Sequence, residues 1–374
     1  AHETEEYNLI KSGKDWLGER FENQLTYEFP FNFPNICTDV EVLVKMYMVA
    51  RSMEHSYFKF FLNGEEKYEM KITSIANSDN TYARFSEKKF SYFPEDTLNV
   101  ITVSYDHPNS SSIGWMNYMY INLRRHLKFC GNQLSFRDIN SFGDGNIAQF
   151  KLSNASELVN IWDVSRIDSV IEINADLIND SLIFTLPTDS LRQFVAFDGS
   201  SYYSPEFVEK VENQDLHATT NADYIIISHP DFLNEAKWIG DFHLEKDGLS
   251  YVVATPDRIY NEFSSGAQDI SAIRDFVKMI YDKAPEDQKP KYLLLFGDGS
   301  YDYKDRIEIF SNFVPTFQSS ESLRMVQSYV CDDFFGLLDE NEGQNADGTL
   351  DIGVGRLPVN SVDEANNVIN KIQI

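Results

Sequence analysis

The sequence predicts a multidomain chain, with an N-terminal all-β sandwich over residues 21–200 followed by an α/β parallel-sheet domain over 222–374. Three observations carry this. Between 21 and 200, apolar residues recur with period two, and turn residues separate the runs. From Ala222 onward, short wholly apolar runs alternate with helical patterns, as in a parallel sheet covered on both faces. At 374 residues the chain also exceeds what one core of ordinary size holds. Residues 1–20 form an N-terminal extension on this reading, and 201–221 a linker.

The β text begins with "VEVLVKMYMVARS" at 40–52, where Val40, Val42, Val44, Met46 and Met48 share one face. "YFKFFLNGEEKYEMKI" holds Asn63-Gly64 between two such runs, a type I′ hairpin signal. "TLNVITVSYD", "GWMNYMYINLRR", "NIAQFKLSN" and "LVNIWDVS" continue the alternation. "SVIEINAD" and "SLIFTLP" read as its edge or as a connecting hairpin, and "SSYYSPEFVEKVENQDLHATT" as a linker with one short helical piece. Such a sandwich either binds sugar or packs against a neighbour, and the fold alone does not choose.

In the α/β text "ADYIIIS" is the first strand. "FLNEAKWIGDFHLEKDG" is a helix ending at Gly248, and "LSYVVAT" the second strand. "DISAIRDFVKMIYDKA" puts Ile270, Ile273, Phe276, Val277 and Ile280 on one helical face. "KYLLLFGD" and "TLDIGVGRLPV" are the third and fourth strands. "SVDEANNVINKI" opens with a capping box from Ser361 to Glu364.

Composition narrows the function classes. The 59 acidic against 32 basic residues give −27, which argues against nucleic acid and against an anionic membrane surface as partners. No apolar run approaches the roughly 18 residues of a transmembrane helix. The three cysteines, Cys37, Cys130 and Cys331, make no CxxC pair and no zinc spacing, so at most one disulfide is expected.

The sharpest local feature is the run from Tyr292 to Phe296, which stops at Gly297-Asp298-Gly299. In parallel sheets ligands gather beyond the carboxyl ends of the strands, where Asp298 is expected to stand. Asp298 reads either as a turn cap or as a ligand to a hard cation. The second reading draws on the acidic stretch "VCDDFFGLLDENEGQNADGTLD", whose carboxylates would repel one another near Asp298 unless solvated or bridged. That stretch is not an EF-hand, because Gln344 stands where the loop glycine is required. Cys331 with His229 is a candidate nucleophile-base pair, set against the plainer reading of a small buried thiol and a turn histidine. No phosphate loop, G-x-G-x-x-G or G-x-S-x-G motif is present.

"ADYIIIS", "YLLLFGDGSYD", "YVCDDFFGLLD" and "LDIGVGRLPVNSVDEANNVINKI" together resemble the gingipain-type cysteine peptidases, within them the secretion-linked sortase branch. The Ile352–Val359 stretch followed by its Glu-Ala helix is the most specific element. The likeness covers 222–374, and the preceding β region resembles the domain that precedes the catalytic region in that branch. It implies that 222–374 is the first of two α/β halves of a catalytic region. The family's catalytic His precedes Gly and its Cys follows Ala, both in the second half. This chain has no His-Gly and no Ala-Cys. The His/Cys dyad is therefore expected C-terminal to this chain, no catalytic residue within it, and the chain alone is expected to be inactive.

The resemblance further implies a structural Ca²⁺ held by Asp298, the carbonyls of Val330 and Phe335, and the Asp333 carboxylate. The family's last carboxylate falls on Leu337, with Asp332 or Asp339 as substitutes. It implies removal of C-terminal secretion signals from type IX cargo proteins, alongside other outer-membrane secretion components. It also implies an exported location, in the periplasm or at the outer surface. The rival readings are a plain secreted gingipain-like endopeptidase and a non-catalytic interaction module.

Overall fold

The computed structural model describes residues 1–75, 80–307 and 310–373. The first 122 residues build two stacked antiparallel sheets. One orders His2–Glu3, Ile113–Asn122, Val42–Arg51 and Arg84–Tyr92, with Arg20–Phe21 also paired to Ile113–Asn122. The other orders Thr26–Asn32, Leu98–Asp106, Ser56–Leu62 and Glu65–Ile72. The pleat sends Val42, Val44, Met46 and Met48 inward to meet Phe58, Phe60 and Val103 of the second sheet. Each such side chain contributes about 1.5–3 kcal/mol on burial. The Asn63-Gly64 turn has φ of 48° and 87°, as a type I′ hairpin requires.

A second β unit follows. Gln133–Arg137, Gln193–Phe197, Asn160–Asp163 and Ile171–Glu172 form one sheet, and Ile147–Ser153, Ser181–Pro187 and Asp176–Ile178 the other. Its core centres on Phe150, Phe184 and Phe194, whose rings lie 5.0–5.3 Å apart. Residues 201–211 are exposed and carry no regular structure.

The α/β unit is β1 (Tyr224–Ser228), α1 (Leu233–Asp247), β2 (Tyr251–Ala254), α2 (Pro256–Phe263), α3 (Ile270–Lys283), β3 (Tyr292–Phe296), β4 (Gly353–Leu357) and α4 (Val362–Ile372). Its four strands are parallel in the order β2-β1-β3-β4. Alternate residues of β3 face opposite layers. Leu293 and Leu295 pack with Ile273, Phe276, Val277 and Ile280 of α3, whereas Leu294 and Phe296 pack with Ala236 and Ile239 of α1 and with Ala365 and Ile369 of α4.

The helix signals act as caps. Gly248 ends α1 at φ 71°, and the Gly248 and Leu249 amides donate to the Leu244 and His243 carbonyls. The Ser361 hydroxyl accepts from the Glu364 amide at 3.3 Å, but the Glu364 carboxylate accepts from Asn360, one residue before the cap. α2 lies outside the elements expected from the sequence, although Pro256 at its first turn is a start signal.

The two ends of the chain's first 20 residues pair with Ile113–Asn122, and the loop between them reaches the α/β unit. Glu5 bonds Lys304 at 2.9 Å and Arg306 at 2.6 Å. Trp16 stacks on Tyr301 at 5.9 Å and lies under the Arg306 guanidinium at 4.5 Å. Gly13 and Asp15 donate backbone bonds to Gln318 and Ser322. A Cβ on Gly13 would stand 2.4 Å from the Glu321 carbonyl, and its φ of 80° also disfavours other residues. Leu17, Val49, Ala83, Trp115 and Leu323 close a small apolar cluster across this contact. This strap holds residues 301–306 and 318–323, from the insertion between β3 and β4, onto the first β unit.

Candidate functional site at the carboxyl edge of the parallel sheet

In the order β2-β1-β3-β4, the chain turns to one side of β1 and then to the other. The switch point lies between β1 and β3, where such sheets leave a crevice. His229 follows β1, and Gly297-Asp298 follow β3. The ladder runs on past the strand ends. His229 N donates to Phe296 O at 3.2 Å, Gly297 N to Leu357 O at 3.0 Å, and Asp298 N to Val359 O at 3.1 Å.

Gly297 has φ 138°, and a Cβ there would stand 2.9 Å from Phe313 Cβ. The apolar run therefore ends on a glycine because the insertion passes directly against its backbone. The Asp298 carbonyl then accepts the amides of Phe313 and Val314 at 2.9 and 3.0 Å, and its carboxylate accepts from Gly299 N at 2.9 Å. Phe313 meets the His229 ring edge-on at 5.0 Å and Phe232 at 5.4 Å.

His229 Nδ1 accepts from the Asp231 amide at 3.3 Å, which leaves the proton of the neutral ring on Nε2. Burial holds its pKa below the usual 6.5, against the opposing pull of Asp231 and Asp257. The ring is thus predominantly neutral at pH 7.

Cys331 pairs with Phe317, and Val330 with Gln318, in a two-residue antiparallel ladder, and Cys331 packs on the α3 side of the sheet. No hydrogen bond joins it to His229 among the described residues. All three cysteines are free.

The residue that organises this edge is Arg356, near the end of β4. It donates two 2.7 Å bonds to Asp332 and further bonds to the carbonyls of Gly297, Val314 and Pro315 at 2.8, 2.7 and 3.1 Å. The stretch "TLDIGVGRLPV" marks a strand by its apolar pattern, and the pattern alone does not tell what Arg356 reaches. The signal was present, since an Arg inside a strand of a covered parallel sheet must find partners.

The acidic connection is likewise met by protein cations. Arg274 of α3 donates to the carbonyls of Leu337, Asp339 and Glu342, and Lys278 to that of Leu338. Asp333 and Val330 are exposed and Phe335 is buried. Among the described residues no three His, Cys, Asp or Glu side chains come together as a metal site. Asp332, named as a substitute ligand, is held by Arg356, and Leu337 is buried. The donors named for Ca²⁺ are then the Asp298 and Asp333 carboxylates, the carbonyls of Val330 and Phe335, and the exposed Asp339 carboxylate as the remaining substitute. One oxygen from each is short of the six to eight the ion takes unless water supplies the rest.

Comparison with known proteins says which class the α/β unit resembles. Residues 217–373 match the model of Peptidase family C25, so the gingipain-type resemblance holds over the α/β unit. The particular protein to which the chain is similar is PorU from Porphyromonas gingivalis, whose structure is described as dimeric and latent. The match has a TM-score of 0.83 at 25% identity and covers 99% of this chain and 37% of that one. The chain therefore spans little more than a third of that relative. A carbohydrate-binding CBM36-1 domain of a xylanase from the hindgut metagenome of Trinervitermes trinervoides aligns at TM-score 0.23 and 10% identity, over 32% of this chain and 97% of its own. A CBM36 module in complex with calcium and xylotriose aligns at 0.23 and 8%, over 33% and 100%. Neither carries an argument at that score. No curated protein sequence matches the chain. Among the described residues no helix is long and apolar enough to cross a membrane.

Proposed function

We propose that this chain is the N-terminal part of a gingipain-like cysteine peptidase of the sortase type, which removes C-terminal secretion signals from type IX cargo at the cell surface. The observation that carries the reading is the match to PorU over 99% of the chain, which takes in the β units as well as the catalytic-type α/β half. A long β region ahead of the C25 segment favours the sortase reading over a plain secreted endopeptidase.

On this reading the thiolate attacks a peptide bond, and an acyl-enzyme forms as the leaving amine departs. Water or an acceptor amine then releases it. The dyad is expected in the second α/β half. The role of residues 222–374 is to present the edge built by Arg356, Asp298 and His229 as a rigid wall for that half. Ca²⁺ enters only as a structural ion at Asp298 and Asp333.

The test is a polypeptide extended through the second half, incubated with a cargo protein that carries its secretion signal. Thiol-dependent release of the signal, read by mass spectrometry at the new C-terminus, is expected. Residues 1–374 alone should release nothing, whether or not Cys331 is replaced by Ala. Cleavage by residues 1–374 that vanishes in Cys331→Ala, or an extended protein without thiol-dependent cleavage, overturns the reading.

A further inference from the structure

We propose that the cleft between the two β units binds an extended peptide rich in acidic side chains, added as a strand along Gln133–Arg137. The cleft has a volume of about 1020 Å³, the upper end of what ligand sites usually offer. Residues 121–128 form one wall and 134–140 the other, each contributing every consecutive residue. A strand seen face-on would show alternate residues, so the second wall offers its backbone edge. Gln133–Arg137 pairs on one side with Gln193–Phe197 and is the last strand of its sheet among the described residues. Its other row of amides and carbonyls is open to strand addition.

Charge specifies the occupant. In a chain of net charge −27, this cleft collects Arg124, Arg125, His126, Lys128 and Arg137, against the single carboxylate of Asp138. Asp138 is matched by Arg124 at 2.7 Å. Arg125 donates to the Pro34 carbonyl at 2.6 Å and toward the Cys130 sulfur at 3.5 Å, neither of which cancels its charge. Lys128 and Arg137 are exposed and form no ion pair among the described residues. Phe33, Leu127 and Phe136, each partly exposed, supply apolar lining between the walls. An extended peptide that alternates acidic and apolar side chains uses all three features, namely the edge, the cations and the rings. An anionic polysaccharide would use only the cations.

The proposal does not depend on the peptidase reading, and its test needs no catalysis. A short fluorescent peptide alternating Glu and Val is titrated with the protein, and anisotropy is followed at low and high salt. Saturable binding that weakens with salt is expected, together with loss for the Gln/Val peptide. Arg137→Glu and Lys128→Glu lie on the surface and should each weaken binding about tenfold, with unfolding curves unchanged. A Glu/Val peptide N-methylated along one edge should fail to bind, because it cannot complete the strand. Equal binding by the Gln/Val peptide, by Arg137→Glu or by the N-methylated peptide overturns the proposal, as does no binding at all. Tighter binding of a sulfated polysaccharide that Arg137→Glu abolishes would assign the cleft to glycans, and also overturns it.

Discussion

Arg356 grips Asp332 through two parallel 2.7 Å bonds, and the same guanidinium holds the carbonyls of Gly297, Val314 and Pro315. One side chain thereby ties the end of β3, the insertion and the acidic connection into one edge. Its side chain is 12% exposed and that of Asp332 25%. Arg356→Met should cost about 3 kcal/mol, because it strands a half-buried carboxylate and three carbonyls. Arg356→Met with Asp332→Leu should recover part of that loss. Denaturant unfolding measures both, and an additive double mutant would show that the pair is not coupled.

The strap makes a second prediction. Trp16 is 3% exposed between Tyr301 and Arg306, so Trp16→Ala should destabilise the contact between the units by about 3 kcal/mol. Glu5→Gln should cost about 1 kcal/mol or less, since that carboxylate is partly solvated. Limited proteolysis reads the difference as faster cutting within 299–330 in Trp16→Ala. Unchanged protection there would detach the strap from the insertion's stability.

Glu262 on α2 gives a pH prediction. Burial alone would raise its pKa. The amides of Leu216 and His217, the His217 ring and the Gln214 side chain all bond its carboxylate and bring the pKa down to about 2 from 4.5. A carboxylate held this low contributes stability that is complete above the unfolded value of 4.5 and is lost as pH falls toward about 2. The attachment of residues 214–217 to the α/β unit should loosen across that window, seen as faster amide exchange at Leu216 and His217. Glu262→Gln should show the loosening already at neutral pH, and no longer depend on pH there.

Calcium is tested by its effect on unfolding. If Asp298 and Asp333 hold the ion in the folded state alone, a hundredfold excess over Kd stabilises by about 2.7 kcal/mol. Millimolar Ca²⁺ should then raise the unfolding temperature, and Asp298→Asn should remove the increment. Identical melts in Ca²⁺ and in EDTA would leave Asp298 as the turn residue that its bond to Gly299 describes.

The elements were legible where periodicity and caps agree. The inward row of Val42–Met48, the Asn63-Gly64 hairpin, the α3 face and the Gly248 and Ser361 caps all stand in the structure. These are local signals, and local physics satisfies them. The site was less legible because its contacts are non-local. Asp298 was found from the Gly-Asp-Gly break, but its partners Phe313 and Val314 come from an insertion without periodic pattern. The acidic connection was expected to be solvated or bridged by a cation. Arg356 meets the Asp332 carboxylate, while Arg274 and Lys278 hold backbone carbonyls of the same stretch, and none of these three pairings is visible in the local sequence. The cleft between the β units was invisible for the same reason. Arg124 and Arg125 read as the tail of a strand, and only the fold sets them and Lys128 opposite Arg137.

The strap also sets a timetable for folding. Glu5, Gly13 and Asp15 find their partners 301, 305 and 307 residues further along the chain. Contacts that span so much chain close late, because the loop entropy must be lost before they form. The first β unit can therefore complete its core before the surface around Trp16 and Leu17 is covered, and that apolar flank stays open until the N-terminal segment meets the insertion.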